Sequence, residues 1–397
     1  YLIGITHDFG KATLFFQKYI QEIDNVKKQQ LKNKPETHHA FLSSIFSFYV
    51  VKKYLEKRNL LENEFYKYLP IISFIIIKRH HGNLENAIDE TYDIDKEKLE
   101  ILRKQIENMD VNGLISWYQE IIMNDRINLD NFNIDEIVKE INNKQKKLIR
   151  MLKNENTSLF YYFLILLLFS ALLDADKMDA ANLEPIIRKD VSSDVVDIYK
   201  KKKFVISENK IDKVREIIYN EVISKVYELN LNNDKILSLN VPTGTGKTLT
   251  SLSFALKLRE RLKREKDFCP RIIYSLPFLS IIDQNSNIFS EALNDPMTDI
   301  FLKHHHLSDI SYETEDEFAN TEIKENISNN LLLIEGWNSE IIITTFIQFF
   351  YSFITNRNRA IRKFNKIANS IVILDEVQAI SHEYWLLLKD TIDFFAK

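Results

Sequence analysis

One glycine-rich segment, residues 242–248, carries residue types that bind nucleotide phosphates. Backbone N–H groups beside glycines approach phosphate oxygens, a lysine contacts the β- and γ-phosphates, and a threonine hydroxyl is a magnesium ligand. Residues 236–239 predict a strand before the segment and residues 249–261 predict a helix after it, which is the context that such a loop requires. The predicted ATP and Mg²⁺ contacts are Thr243, Gly244, Thr245, Gly246, Lys247 and Thr248.

An acidic pair follows an apolar run later in the chain. Residues 370–374 predict a buried strand, and Asp375 and Glu376 come directly after it. In open α/β sheets, ligands bind at the carboxyl ends of the strands. We expect Asp375 to hold magnesium through water and Glu376 to orient or deprotonate the attacking water. Together with Lys247, these two residues are the predicted catalytic groups for ATP hydrolysis.

Histidines and aspartates form a second group of potential ligands, all before residue 180. Imidazole nitrogens and carboxylate oxygens bind divalent transition metals, and the apolar segments beside these residues would converge in a helical core. General acid–base catalysis contributes about 10²- to 10⁴-fold, whereas the slowest phosphate-ester hydrolyses require accelerations of roughly 10²¹-fold, so a metal site is favoured. The residues in chain order are His7-Asp8, His38-His39, His80-His81, Asp174 and Asp176.

The residue pattern of the chain changes near residue 195. Before it, helical periodicity dominates, as at 134–152, and glycine and proline are scarce. After it, short β-branched runs alternate with helical segments, which predicts a parallel sheet with helices on both faces. The predicted strands are 236–239, 271–276, 341–345 and 370–374. We therefore expect an all-α domain over residues 1–204 and an α/β domain over residues 205–397.

Two polar segments are interpreted as exposed connections. Residues 199–203, Tyr-Lys-Lys-Lys-Lys, favour a solvated linker between domains over a DNA contact. Residues 294–335 fit neither the helical nor the strand periodicity and are interpreted as an insertion. The triplet His304-His305-His306 lies in that insertion without a well-spaced carboxylate, which favours an exposed loop over a metal site.

Composition limits the setting of the protein. The 397 residues carry a net charge of −4, so any nucleic-acid contact must come from local grooves. The single Cys269 permits neither an internal disulfide nor a cysteine metal cluster, which indicates a reducing cytoplasm. The apolar run Leu159–Leu173 is shorter than a bilayer span and predicts a buried helix, so no membrane association is expected. No targeting segment is visible at Tyr1.

The order of these motifs resembles the helicase-nucleases of type I CRISPR systems, in which an HD-type domain precedes a superfamily 2 helicase core with a RecA-like fold. The Pro-Thr-Gly opening of the phosphate loop, with Val241 where the general pattern has glycine, is similar to superfamily 2 helicases. The histidines and aspartates resemble those of HD phosphohydrolases. The stretches that carry the resemblance are 6–11 with 15–17, 39–44, 80–82, 176–179, 242–248, 277–284, 344–350 and 375–378.

The resemblance implies an ATP-dependent enzyme that an RNA-guided surveillance complex (Cascade) recruits in antiviral defence. Such an enzyme nicks, unwinds and degrades single-stranded DNA while translocating 3′ to 5′. Its HD site would use Mn²⁺, Ni²⁺, Co²⁺ or Fe²⁺, with Asp8 bridging two ions and Lys11 stabilising the phosphate charge. The implied metal ligands are His7, Asp8, His39, His80, His81 and Asp176.

Some implied ligands have close alternatives. His39 is preferred to His38 because a small residue, Ala40, follows it as in the family, while Asp176 against Asp174 is a closer choice. The strand ends at 275–284 and at 344–345 would contact the nucleic-acid backbone, although the threonine pair alone is explained by β-propensity. A further family histidine is expected to precede the first residue, and a second RecA-like domain is expected to lie outside the chain.

Two other functions compete with a DNA helicase-nuclease. One is an HD phosphohydrolase that acts on nucleotides and carries a regulatory ATPase domain. The other is a DNA-binding or scaffold protein without enzymatic activity. Nucleic-acid contacts at the strand ends would separate the helicase-nuclease from the first alternative. Intact Lys247, Asp375 and Glu376 count against the second.

Overall fold

The computed structural model describes residues 1–86, 94–122, 127–152, 159–204, 209–305 and 323–396. These residues form two compact units. Unit 1 comprises residues 1–175 and 356–358, and unit 2 comprises residues 176–355 and 359–397.

All regular elements described in unit 1 are helices. They are α1 (Leu2–Thr6), α2 (Leu14–Gln21), α3 (Asn25–Lys32), α4 (His39–Lys57), α5 (Leu69–Arg79), α6 (Lys96–Glu107), α7 (Val111–Ile121), α8 (Ile134–Leu152) and α9 (Leu159–Ala180, which continues into unit 2), with 3₁₀ turns at Phe9–Ala12 and Pro35–Thr37. Helices α4 and α5 form the centre of the unit because almost every residue along their middle turns is buried. The Phe9 ring stacks on Phe46 of α4 with 3.8 Å between centroids, which fixes the first 3₁₀ turn against that helix.

Helix α9 contains the long apolar run. It has 22 residues and is long and apolar enough to cross a membrane by length and composition, with 39% of its most apolar window buried. The helix thus exceeds the length inferred from residues 159–173 alone. Core helices of soluble proteins pass the same test, and buried Phe163, Leu166, Phe169 and Leu173 fit that interpretation.

Unit 2 contains a parallel sheet and the remaining helices. They are α10 (Val195–Lys203), α11 (Lys210–Glu228), α12 (Lys247–Lys266), β1 (Ile272–Leu276), α13 (Leu279–Ala292), β2 (Phe301–His304), α14 (Ile323–Glu335), β3 (Ile341–Thr345), α15 (Phe346–Tyr351), α16 (Asn358–Ile361, whose first residue is grouped with unit 1), α17 (Phe364–Ile367), β4 (Ile371–Leu374) and α18 (Trp385–Phe395), with 3₁₀ turns at Val377–Ala379 and His382–Tyr384. The strand order is β2-β3-β1-β4, and all three pairs are parallel. The carboxyl ends of the four strands therefore lie along one edge, which is where α/β sheets place their ligands.

Three predicted strands are found, and the fourth is not. β1, β3 and β4 match the segments 271–276, 341–345 and 370–374, whereas residues 236–239 form no strand and Ile236 is 55% exposed. Short β-branched runs are only a weak signal, because pairing partners decide whether they form strands. As a result β4 is an edge strand of the described sheet, and it is half-buried rather than buried.

The lysine-rich segment at 199–203 is not a linker. It belongs to helix α10, whose Val196 is fully buried in the core of unit 2. Lys200 pairs with Glu216 and lies over the Tyr219 ring, and Lys203 pairs with Glu291. These neighbours hold the segment within unit 2, which begins at residue 176, whereas the α/β domain was expected to begin at residue 205.

A buried ion cluster stands before β3. Arg188 donates two hydrogen bonds to Glu340, at 2.7 Å each, and Arg259 donates a third at 2.7 Å. Arg259 and Glu340 are each 2% exposed. The backbone of Glu340 bonds to Asp299 and to Ile272 at the start of β1, so the cluster fixes one end of the sheet.

We expect Glu340→Ala to destabilise unit 2 by about 3–5 kcal/mol, because removing one partner leaves the Arg259 guanidinium buried and uncompensated. Urea unfolding of the intact protein measures this loss. The control Glu265→Ala removes an exposed partner of Arg261 on α12, and we expect no measurable change from it. Equal unfolding midpoints for the two variants would contradict the role given to the cluster.

Candidate functional site

Five of the predicted metal-site residues lie at element ends in unit 1. His7 follows α1, Asp8 opens the 3₁₀ turn, His39 is the first residue of α4, and His80 and His81 follow the last turn of α5. At each of these positions an apolar element packs in the core and places a polar side chain at its end. We refer to His7, Asp8, Lys11, His39, His80 and His81 as the histidine–aspartate cluster.

The cluster brings its ligand atoms within a few ångströms. Nε2 of His39 lies 3.0 Å from Nε2 of His81 and 3.3 Å from Oδ1 of Asp8. Nε2 of His7 lies 3.3 Å from Oδ2 of Asp8. One ligand atom each from His39, His80 and His81 fits within 4.8 Å of the other two. This spacing is suitable for imidazoles that share a metal ion.

Backbone carbonyls set the tautomers of two cluster histidines. Nδ1 of His7 lies 2.6 Å from the Gly4 carbonyl, and Nδ1 of His80 lies 2.6 Å from the Ile77 carbonyl. A carbonyl oxygen only accepts, so in the neutral ring Nδ1 carries the proton and Nε2 keeps its lone pair. Metal-binding histidines are oriented in this way in many proteins.

Asp8 is the charged centre of the cluster. Burial alone would raise the pKa of its carboxyl, but the neighbouring His39 and the hydrogen bond from Lys11 outweigh burial and hold the pKa well below its usual range. The Lys11 ammonium lies 2.6 Å from Oδ2 of Asp8. Asp8 is therefore ionised at neutral pH, as a carboxylate that would bind a metal must be.

The donor set fits a divalent transition metal. Oδ1 of Asp8 is buried and makes no regular hydrogen bond among the residues that the structure describes, although His39 lies beside it. A buried carboxylate oxygen facing imidazole nitrogens suits Mn²⁺, Fe²⁺, Co²⁺ or Ni²⁺. The ion that would bind there supplies Lewis acidity and an activated water. His39 and His81 would hold it together with Asp8.

The remaining ligand alternatives are placed differently. His38 is exposed, and its ring lies 3.2 Å from the Lys32 carbonyl, whereas neighbouring His39 points into the cluster. On α9, Asp174 is buried and belongs to unit 1, while Asp176 is half-buried and is grouped with unit 2. The choice of Asp176 as a ligand stays a prediction.

The predicted ATP-site residues come together in unit 2. Nζ of Lys247 lies 3.5 Å from Oε1 of Glu376, which joins the phosphate loop to the end of β4. Gln378 donates to the other oxygen of Glu376. Glu376 has a φ of 59°, a left-handed conformation that is rare for a residue with a side chain and is common at functional sites.

The phosphate loop has the backbone that its glycines predict. Gly244 and Gly246 have φ values of 78° and 86°, where a side chain would be strained. The Thr245 hydroxyl donates to the Pro242 carbonyl at 2.7 Å, which closes the turn. Thr243 is exposed, and helix α12 begins at Lys247, so its N-terminal N–H groups adjoin the loop.

Three residues near the loop were not predicted from the sequence. The Tyr274 hydroxyl donates to Oδ2 of Asp375 at 2.6 Å, the Thr248 hydroxyl lies 3.4 Å from Oδ1 of Asn285, and Arg215 donates to the Gly244 carbonyl at 2.9 Å. The sequence contained a signal for Tyr274, since the hydroxyl of a tyrosine inside an apolar buried strand requires a hydrogen-bond partner. The sequence contained no such signal for Asn285 and Arg215, because their hydrogen-bond partners are distant in sequence.

The two threonines at the end of β3 use their hydroxyls within unit 2. Thr344 donates to the His304 carbonyl at 2.8 Å, and Thr345 caps α15 by accepting from the Gln348 N–H. The expected nucleic-acid contacts of this edge stay a prediction.

The first two histidines of the His304–His306 triplet are not on an exposed loop. His304 ends β2, and the Trp337 indole donates to its Nδ1 at 2.8 Å. Burial, together with the charge of Lys363, lowers the pKa of His304 to about 3, so its ring is neutral. His305 is buried beside Asp283. His306 lies outside the described residues. Pairing of β2 with β3 sets His304 opposite Thr344, which the local composition did not reveal.

Known proteins resemble this chain in both units. A CRISPR-associated nuclease/helicase (Cas3) of Haloferax volcanii is 26% identical over 415 aligned residues, which cover 96% of this chain and 42% of the relative. The chain is related to the CRISPR-associated nuclease/helicases. A second protein assigned to them, from Methanocaldococcus jannaschii, is 26% identical over 94% of the chain and 48% of its own length. The chain thus spans less than half the length of each nuclease/helicase.

A family model adds a second finding for unit 2. Residues 204–393 match the model described as the type III restriction enzyme, res subunit. This range contains the phosphate loop, all four strands and the acidic pair. The four-stranded parallel sheet fits a RecA-like helicase domain, as the resemblance of the motifs to CRISPR-associated nuclease/helicases implies.

Gly10 controls how closely the Asp8 turn approaches α4. A Cβ at Gly10 would lie 2.5 Å from the His39 carbonyl oxygen, too close for any real contact. We expect Gly10→Ala to push Asp8 away from His39 and to weaken Mn²⁺ binding at least about 10-fold, since displaced or lost support of a metal ligand costs 10- to 100-fold. Isothermal titration of the intact protein with Mn²⁺ measures this.

Gly4→Ala is the matched control for that variant. It adds the same methyl group where nothing lies within 4 Å, and it keeps the carbonyl that binds His7. We expect wild-type Mn²⁺ affinity from it. The proposed approach of Asp8 to His39 would be refuted if Gly10→Ala also bound Mn²⁺ like the wild type.

Proposed function

We propose that the chain carries the ATPase and the metal-dependent nuclease of a DNA helicase-nuclease that acts in CRISPR defence. The observation that carries this proposal is the 3.5 Å distance between Lys247 and Glu376, which joins the phosphate loop to the acidic pair. The chain that contains this pair is related to nuclease/helicases. The finer activities follow the resemblance: nicking of single-stranded DNA, translocation 3′ to 5′ and degradation, after recruitment by a Cascade-type complex in the cytoplasm.

In the proposed ATPase, each residue at the loop has one task. Lys247 would leave Glu376 and bind the β- and γ-phosphates when ATP enters, because the phosphates carry more charge than one carboxylate. Glu376 would then orient the attacking water, and Gln378 would hold its second oxygen. Thr248 and Asp375 would hold Mg²⁺, which neutralises phosphate charge.

In the proposed nuclease, the histidine–aspartate cluster would bind the metal and the scissile phosphate. His39, His80 and His81 offer ligand atoms within 4.8 Å of one another, and Oδ1 of Asp8 lies 3.3 Å from Nε2 of His39. Lys11 already neutralises Asp8 at 2.6 Å and would also face the phosphate charge. Single-stranded DNA is favoured as substrate over a free nucleotide because the relatives are named as nuclease/helicases.

We expect His39→Ala to lower Mn²⁺-dependent cutting of single-stranded DNA by roughly 10²- to 10⁴-fold, the range for loss of an essential catalytic group. His38→Ala is the matched control, since it removes the neighbouring exposed imidazole outside the cluster, and we expect normal cutting from it. A gel assay with a labelled oligonucleotide distinguishes the two. Equal cutting by both variants would remove the histidine–aspartate cluster from the proposal.

We expect Lys247→Ala to lower DNA-stimulated ATP hydrolysis by about 10²-fold or more, because it removes the cation that meets the transferred phosphate. Metal-dependent nicking should persist in this variant, and ATP hydrolysis should persist in Asp8→Ala. Lys266→Ala, at the other end of α12, should hydrolyse ATP normally.

Two results would count against the proposal as a whole. Loss of both activities by either Lys247→Ala or Asp8→Ala in folded protein would contradict two separate sites. Hydrolysis of mononucleotides without any response to DNA would favour a nucleotide phosphohydrolase with a regulatory ATPase.

A further inference from the structure

Tyr274 stands at the centre of the sheet in unit 2. It lies in β1 between Ile343 of β3 and Ile373 of β4, and its side chain is fully buried. The ring packs edge-on against Phe289 with 5.1 Å between centroids, so its position is fixed by the core. A buried phenol in such a place must direct its hydroxyl to a polar partner.

The partner of that hydroxyl is Asp375, one of the residues proposed to hold Mg²⁺. Tyr274 donates to Oδ2 of Asp375 at 2.6 Å, because an ionised carboxylate only accepts. The Tyr274 hydroxyl in β1 therefore holds the acidic residue that directly follows β4.

The second oxygen of Asp375 is held separately. Its Oδ1 accepts the N–H of Glu376 at 3.0 Å, and the Asp375 N–H is bonded to the Ser275 carbonyl at 3.0 Å. With one donor on each oxygen, the carboxylate plane cannot turn without breaking a bond. A short hydrogen bond to a charged acceptor is among the stronger ones in proteins.

We propose that Tyr274 is a positioning residue of the ATP site, whose hydroxyl fixes the direction of the Asp375 carboxylate so that it can face a magnesium–nucleotide complex. This rests on the proposed ATPase function. Tyr274 would not touch the nucleotide itself. Its effect would appear in the part of nucleotide affinity that depends on Mg²⁺, since it orients groups that bind the ion.

A second buried tyrosine provides a matched control. The Tyr219 hydroxyl donates to Asp197 at 2.5 Å and lies 2.7 Å from the Ser253 hydroxyl. Like Tyr274, it is buried in unit 2 and donates to a carboxylate. Neither Asp197 nor Ser253 belongs to the proposed ATP site. Tyr219→Phe thus removes the same chemistry without touching Thr248 or Asp375.

The experiment measures binding of a fluorescent ADP analogue to the intact protein, in Mg²⁺ and in EDTA, with urea unfolding in parallel. For Tyr274→Phe we expect Mg²⁺-dependent affinity to fall about 10-fold, the order for one hydrogen bond to a charged group, while affinity in EDTA is unchanged. For Tyr219→Phe we expect lower stability but wild-type affinity in both buffers.

Each other outcome decides against a specific claim. Wild-type affinity of Tyr274→Phe in Mg²⁺ would overturn the positioning role while leaving the ATPase proposal intact. An equal loss in Mg²⁺ and in EDTA would show that Tyr274 acts only through the stability of the loop. Absence of any Mg²⁺-dependent binding by the wild type would overturn the proposed ATPase itself.

Discussion

A partly buried carboxylate is tolerated only where donors or cations meet its oxygens, and both candidate sites depend on that constraint. Asp8 is held by the Lys11 ammonium, which donates to Oδ2 at 2.6 Å. Asp375 is held by the Tyr274 hydroxyl and by a backbone N–H. In each case the groups that satisfy the acid also fix its direction.

Apolar packing delivers these polar groups to their places. The stacking of Phe9 on Phe46 holds the turn that carries Asp8 against the start of α4. In unit 2, parallel pairing of β1 with β4 sets Ser275 opposite Leu374, so Asp375 emerges beside the end of β1. The backbones of the functional residues are thus fixed by the buried elements that carry them, so few additional hydrogen bonds are needed to position their side chains.

Some features were predictable because their signals are local. Helix α8 matches the periodic segment 134–152, and β3 matches the β-branched run 341–345. The phosphate loop could be predicted because its glycines occupy positive φ angles that other residues avoid. The failures share a cause. The structure of each of these segments depends on which distant segment packs beside it, and a short stretch of sequence does not contain that information. The segments are residues 236–239, the lysines at 199–203 and the pair His304-His305.

The sequence alone determined the residue types at both sites, their order along the chain and the alternation of strands with helices, since these follow from composition and period. It also carried the resemblance to helicase-nucleases, which the relatives confirmed. Only the tertiary structure decided that His39 rather than His38 enters the cluster, that Lys247 meets Glu376, and that Tyr274 reaches Asp375. Those choices depend on sheet register and on the close approach of Gly10 to α4, because distances between residues far apart in sequence are set by packing.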